Sequence, residues 1–193
     1  MESTSPSAKP REKFISCHPI AQKLRADRLF TESRLYAEAS PEPGGVRSSM
    51  FRALLVDQMM EVPPFAWTKD DGKAYVQICY LGANLCGYPE IVHGGLLAAL
   101  FDDGFARCCL RLPDTRLTAN LEIQYKATVV CDSYVIIRIT QKVVKDRKVE
   151  LEGEIRLLTD KDEDPAVLVK AKATFVTPKK GESGYRDRCL PSC

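Results

Sequence analysis

Histidine is almost missing from this sequence: His18 and His93 are the only two in 193 residues. Two imidazoles are too few for a multi-histidine metal centre, and no metal is expected. No run approaches the ~18 apolar residues that a membrane-spanning helix needs, so no membrane span is expected. A surplus of one charge is missing as well. Lys plus Arg total 28 and Asp plus Glu 26, a net charge of +2, without the basic excess of a typical nucleic-acid binder. The stretch Met1 to Pro10 lacks the apolar core of a secretory signal. Glu2 and Glu12 count against a mitochondrial transit peptide without excluding one. The expected compartment is the cytoplasm, with mitochondria left open.

Cysteine is plentiful, but the spacings that would give it a role are missing. Cys17, Cys79, Cys86, Cys108, Cys109, Cys131, Cys189 and Cys193 contain no CxxC pair. Disulfides are rare in a reducing compartment. The cysteines therefore read as small buried hydrophobes plus two tail thiols. Cys108 and Cys109 fall near the far end of the central helix described below, the pole that does not activate a thiol, so a cysteine nucleophile is set aside.

What is present is the composition of one folded domain with loose ends, 45% hydrophobic. Residues 1–13 are Ser, Pro and charge and are expected to be disordered. Residues 14–60 read as a helical and loop extension, with a helix over 18–28 and a Pro- and Gly-rich loop over 40–49. This extension is expected to lid the site or pad a dimer contact. The main domain is placed at 61–178, and a loose tail at 179–193.

Within the main domain, period-2 patterns mark strands over 74–81, 118–127, 134–144, about 149–157 and 167–175. In the second of these, Ala119, Leu121, Ile123 and Tyr125 alternate with Thr118, Asn120, Glu122, Gln124 and Lys126. Between the first and second strands, Gly94 to Leu110 reads as a helix apolar nearly all round, which must be buried. A strand, a buried helix and four consecutive strands give an α+β layer: an antiparallel sheet around a central helix.

Two features interrupt that helix. It starts with His93-Gly94-Gly95, and Asp102 and Asp103 sit in its middle. Free N–H groups at a helix start, backed by the dipole, stabilise developing negative charge. The bland alternative is a Gly-Gly that only turns the chain. A carboxylate in an apolar helix must be paired or reach solvent. Adjacent helical residues point about 100° apart, so the two acids can do different things. For Asp103 the plain expectation is an ion pair with Arg107, four residues on.

His93-Gly94-Gly95 followed by Leu96 to Asp102, with the acid nine residues after the histidine, resembles the HGG…D signature of the hotdog-fold acyl-CoA thioesterases. The resemblance is to the branch of the phenylacetyl-CoA-pathway enzymes and the THEM proteins, and Leu85-Cys86-Gly87 onwards looks like fungal members. Thr118 to Lys126 is similar to the family's next strand, and the similarity covers about residues 73–177. It implies a hotdog fold and hydrolysis of an acyl thioester on CoA or a carrier. Asp102 would be the general base or nucleophile and the Gly94 N–H the carbonyl donor. His93 and Gly95 would shape the helix start, and Thr118 would hold water or orient Asp102. No cofactor is implied, since CoA belongs to the substrate. Many bacterial members have an Asn six residues before the histidine. Here Gly87 stands there, and Asn84 is the nearest candidate for that role.

Gly94 and Asp102 are eight residues apart, or about 12 Å along one helix at ~1.5 Å per residue. A carbonyl donor and a water-activating base must each lie within about 3 Å of their reacting atoms. The expectation is therefore a homodimer, or a dimer of such dimers, whose sites take Gly94 from one chain and Asp102 from the other. Two other readings compete: release, cyclisation or dehydration of a polyketide thioester, and a hotdog protein that binds acyl thioesters without turnover.

Overall fold

The computed structural model describes residues 8–37, 49–112, 114–160 and 165–179. Its strands are β1 (Phe30–Arg34), β2 (Phe65–Lys69), β3 (Ala74–Leu81), β4 (Cys86–Tyr88), β5 (Ile91–Val92), β6 (Leu117–Tyr125), β7 (Ser133–Lys145), β8 (Lys148–Leu157) and β9 (Val169–Val176). Seven of them form one antiparallel sheet in the order β1-β2-β3-β7-β8-β9-β6, and β4 and β5 form a separate small hairpin. The helices are α1 (Ala8–Cys17), α2 (Pro19–Ala26), α3 (Ser49–Ala53) and α4 (Gly94–Cys109).

The long helix α4 has neither proline nor a β-branched residue, and its interior glycine, Gly104, sits where a Cβ would stand 2.6 Å from Ile139 Cδ1. Leu97, Leu100, Phe101, Phe105, Cys108 and Cys109 are buried, packed on the inner face of the sheet. Each large side chain contributes about 1.5–3 kcal/mol through burial. The long β7–β8 hairpin turns at Asp146, whose φ of 49° is a left-handed conformation that Asp tolerates.

The outer face of the sheet is divided in two. Over β2, β3 and β7, Phe65, Trp67, Ile78 and Ile136 form a second apolar cluster with Ile15 and Ala21 of α1 and α2. β3 thus buries both faces, Tyr75, Cys79 and Leu81 inward and Ile78 outward, which explains its almost unbroken apolar run. Over β6, β8 and β9 the outer face carries alternating charge. Lys172 pairs in register with both Glu122 and Glu152, and Lys170 with Glu154. The ammonium groups of Lys172 and Lys142 lie 3.3 and 3.4 Å from Glu152 and hold its carboxyl below the usual range.

The N-terminal third departs from its sequence pattern. Residues 8–13, expected to be disordered, open α1, and the helix expected over 18–28 is α2, capped by His18. Tertiary contacts hold what composition does not favour. Phe14 stacks on Tyr134 at 4.2 Å, and the Arg11 guanidinium lies 3.7 Å from the centre of the Tyr80 ring. His18 Nδ1 accepts from the Ile20 N–H, while Nε2 lies 2.8 Å from the Thr159 carbonyl. β1 and β2, which no pattern marked, extend the sheet beyond β3. The loop expected at 40–49 falls mostly, and the tail at 179–193 almost wholly, outside the described residues.

Residues of the extension enter the main core rather than lying over it: Leu35, Tyr36, Phe51 and Met60 pack in the same cluster as α4. Tyr36 is the tie. Its φ of 64° costs a non-glycine residue about 1–2 kcal/mol. In return its hydroxyl donates to Asp103 Oδ2 at 2.6 Å and its ring stacks on Phe51. The same Asp103 oxygen accepts from Arg107 Nε at 2.6 Å, the ion pair expected from the sequence. Arg107 is only 5% exposed. Burial works against its charge, but the Asp103 carboxylate, with Tyr75 and Tyr36, outweighs burial and shifts it upward. Burial and then the Asp103 charge push the Tyr36 phenol far up, so it remains a donor.

Arg107→Leu leaves a buried carboxylate without its cation and is expected to cost about 3–5 kcal/mol in urea unfolding. Tyr36→Phe should cost about 1.5–3 kcal/mol, the range for a hydrogen bond to a charged group. Losses below about 0.5 kcal/mol, typical of surface changes, would show that this cluster does not hold the extension to the helix.

Candidate active site

The first turn of α4 can be accounted for donor by donor. Leu96 and Leu97 N–H groups donate to the His93 carbonyl at 2.9 and 3.3 Å, and the Gly95 N–H donates to His93 Nδ1 at 2.9 Å. His93 is therefore the N-cap, with its Nδ1 as the hydrogen-bond acceptor. The Gly94 N–H is left without an acceptor among the described residues. Gly94 is half-buried, and its carbonyl accepts from the Tyr125 hydroxyl at 2.8 Å. The sequence reading placed Tyr125 on the apolar side of β6 but gave it no role. Only the strand register brings it to the helix start.

Asp102 is half-buried, and its Oδ1 accepts from Thr118 Oγ1 at 2.7 Å. Strict alternation along β6 would put Thr118 on the opposite face from Leu121, Ile123 and Tyr125. The structure corrects this. Thr118 pairs with Phe175 and Asn120 with Thr174, so Ala119 is an extra residue in a β-bulge. The bulge turns Thr118 to the inner face, beside Asp102. Asp103, one residue on, points instead to Arg107 and Tyr36.

The structure thus joins Asp102 with Thr118, and Gly94 and Gly95 with His93. It does not bring Asn84 to either group. Asn84 is exposed in the short turn Ala83–Leu85, and its backbone N–H donates to the Gln58 carbonyl at 2.8 Å. Nor is there room for an Asn at position 87. A Cβ built on Gly87 would stand 2.7 Å from His93 Cδ2 and 3.1 Å from His93 Cα. The glycine there lets the hairpin close against the capping histidine.

Burial pushes the thiols of Cys79 and Cys108 up to about 12 and that of Cys109 to about 11. Such thiols are poor nucleophiles. Among the described residues no group of three or more His, Cys, Asp or Glu side chains is placed to hold a metal ion. A groove of about 580 Å³ lies on the charged outer face of the sheet, lined by residues such as Lys126, Arg138 and Glu154, away from the Thr118–Asp102 pair.

An antiparallel sheet against one long helix, with an HGG start and an acid two turns later, defines a hotdog-fold protein. Residues 90–178 match the model of the thioesterase superfamily. The chain is 30% identical over 149 residues to the uncharacterized mitochondrial membrane protein FMP10 of Saccharomyces cerevisiae, a match over 75% of this chain and 53% of that protein. It thus spans about half the length of FMP10. An uncharacterized Schizosaccharomyces pombe protein is 29% identical over 174 residues, 89% of this chain and 94% of its own. Acyl-coenzyme A thioesterase THEM5 of Homo sapiens is 31% identical over 67 residues, 35% of this chain and 27% of its own. Among solved structures, the Escherichia coli PaaI protein of the phenylacetic acid degradation operon shares the fold. Its TM-score is 0.50 at 15% identity, over 56% of this chain and 74% of that one.

Gly87→Asn should displace the His93 ring and weaken the α4 cap. The expected cost is about 1–3 kcal/mol, the range for overpacking a tight site, read by thermal unfolding. An unchanged melting temperature would mean that the hairpin does not depend on this contact.

Proposed function

We propose that the protein hydrolyses an acyl thioester of CoA, or of a carrier, to the free acid and thiol. The observation that carries this reading is the Thr118–Asp102 hydrogen bond, set two turns along the helix whose first free donor is the Gly94 N–H. Asp102 takes a proton from water, and the hydroxide oxygen bonds to the thioester carbon. The negative charge that gathers on the carbonyl oxygen is met by the Gly94 N–H and the helix dipole. The tetrahedral intermediate then breaks its C–S bond, and the leaving thiolate takes up the proton. Thr118 donates to one carboxylate oxygen and leaves the other to face water. The reading needs no cofactor, because CoA leaves as the product thiol.

Both groups serve one substrate only across a twofold interface, for the 12 Å reason given above. The open edge of β6 supports that assembly. Among the described residues the strand pairs with β9 on one side alone, and it leaves Leu117 and Tyr125 exposed. An unpaired edge of this length invites pairing with another copy. Similarity to FMP10, a mitochondrial membrane protein by name, supports a mitochondrial setting over the cytoplasm expected from the sequence. Among the described residues no helix is long and apolar enough to cross a membrane.

An acyl-CoA panel run in ¹⁸O water should give labelled free acid, whereas cyclisation or dehydration would give none. Asp102→Ala should lower kcat by about 10²–10⁴-fold, the range for a lost general base. Retention of wild-type turnover by this variant would sink the assignment. Gly94→Pro removes the donor at the first helical position, where proline is tolerated. Mixed dimers of Asp102→Ala and Gly94→Pro should regain one working site, and two chains that fail to complement would refute the shared site.

A further inference from the structure

We infer that Tyr125 is a positioning residue: its hydroxyl, together with His93, clamps the peptide unit joining Gly94 and Gly95, and with the preceding unit held through the His93 carbonyl this fixes both dihedrals of Gly94, the residue whose N–H is the proposed donor. This rests on the proposed thioesterase reading for its catalytic consequence, but the clamp itself is a property of the fold. The two ends of one peptide plane are held by two different elements. The Gly94 carbonyl accepts from Tyr125 at 2.8 Å, and the Gly95 N–H donates to His93 Nδ1 at 2.9 Å. On the other side of Gly94, the His93 backbone is fixed as well. Its N–H donates to the Leu85 carbonyl at 2.9 Å, and its own carbonyl accepts from Leu96 and Leu97.

The clamp answers a specific weakness. Two successive glycines are the most pliable pair of residues that could begin a helix. A donor that stabilises a transition state is effective when it is already aimed and needs no reorganisation during reaction. The same pliability that lets a substrate approach the backbone would let the donor swing. Tyr125 compensates from outside the helix, and Gly94 makes room for it. A Cβ at Gly94 would lie 3.3 Å from both Cζ and Oη of the Tyr125 ring. With a side chain at position 94 the tyrosine ring would have to give by a few tenths of an ångström. Thr118 orients Asp102 from one end of β6, and Tyr125 orients Gly94 from the other.

The test is Tyr125→Phe, which keeps the ring and removes only the hydroxyl. In the full-length protein kcat should fall about tenfold with KM within about twofold, the loss of one hydrogen bond felt in the transition state. Without any substrate, amide exchange at Gly95 measured by NMR should accelerate by about the same factor. Gly94→Ala and the double variant complete a cycle, in which a shift of the ring by the added methyl should reduce the further effect of Tyr125→Phe. Unchanged exchange at Gly95 overturns the clamp whatever the activity. Faster exchange with wild-type kcat overturns the catalytic consequence, and a loss confined to KM would mean that Tyr125 meets substrate instead. If the wild type hydrolyses no thioester, the functional reading fails, while the exchange experiment still decides the clamp.

Discussion

The buried ion pair between Asp103 and Arg107 is the constraint on which the site depends. The central helix is apolar almost all round, so packing alone would specify its rotation poorly. A carboxylate in that setting cannot be left unpaired, and Arg107 on the same face together with the Tyr36 hydroxyl satisfies it at 2.6 Å each. Once Asp103 is fixed in that direction, the geometry of the helix turns Asp102 about 100° away, toward β6. Two neighbouring acids of identical chemistry thus separate into a buried anchor and a half-buried carboxylate that accepts from Thr118.

That division explains why the N-terminal extension is packed into the core. Tyr36 reaches Asp103 because β1 adds a strand to the sheet and the chain then turns inward through a left-handed residue. α1 and α2 cover the apolar outer half of the sheet, so β2 and β3 are buried on both sides. The remaining outer half, over β8, β9 and β6, needs no cover because its cross-strand neighbours alternate in charge. The extension and the sheet share one core, and the boundary expected at residue 61 runs through it.

Elements whose pattern is local were legible in the sequence. β3 spans Ala74–Leu81, the expected limits, and α4 begins at Gly94 as expected, because alternation, glycine and an apolar run record themselves along the chain. What depended on partners was not legible. Residues 8–13 look disordered by composition, and they open α1 because Arg11 and Phe14 find Tyr80 and Tyr134. Strict alternation put Thr118 on the wrong face, since a one-residue bulge leaves no mark on a period-2 pattern unless the register of the partner strand is known. Asn84 stays outside the site because it lies in the turn Ala83–Leu85, held by its N–H to the Gln58 carbonyl. Family likeness pointed to Asp102, Gly94 and Thr118 as a set. The structure adds the hydrogen bonds that tie them to the frame.

The bulge also bears on how the site and the assembly are related. Among the described residues β6 is one of the two edges of the sheet, and the same strand carries Thr118 to Asp102 and Tyr125 to Gly94. In the proposed dimer this strand would be both the pairing surface and the support of both reacting groups. A bulge twists an edge strand and interrupts its ladder. Placed at Ala119, it lies next to Thr118 and leaves the stretch from Asn120 to Tyr125 regular on its β9 side. Pairing can then use the regular part while the bulged end stays free to present the threonine inward. A strand without the extra residue would have to choose between an apolar inner face at Leu121 and Ile123 and an inward Thr118. The insertion of one residue removes that conflict, and it does so at the place where the edge meets the helix acid.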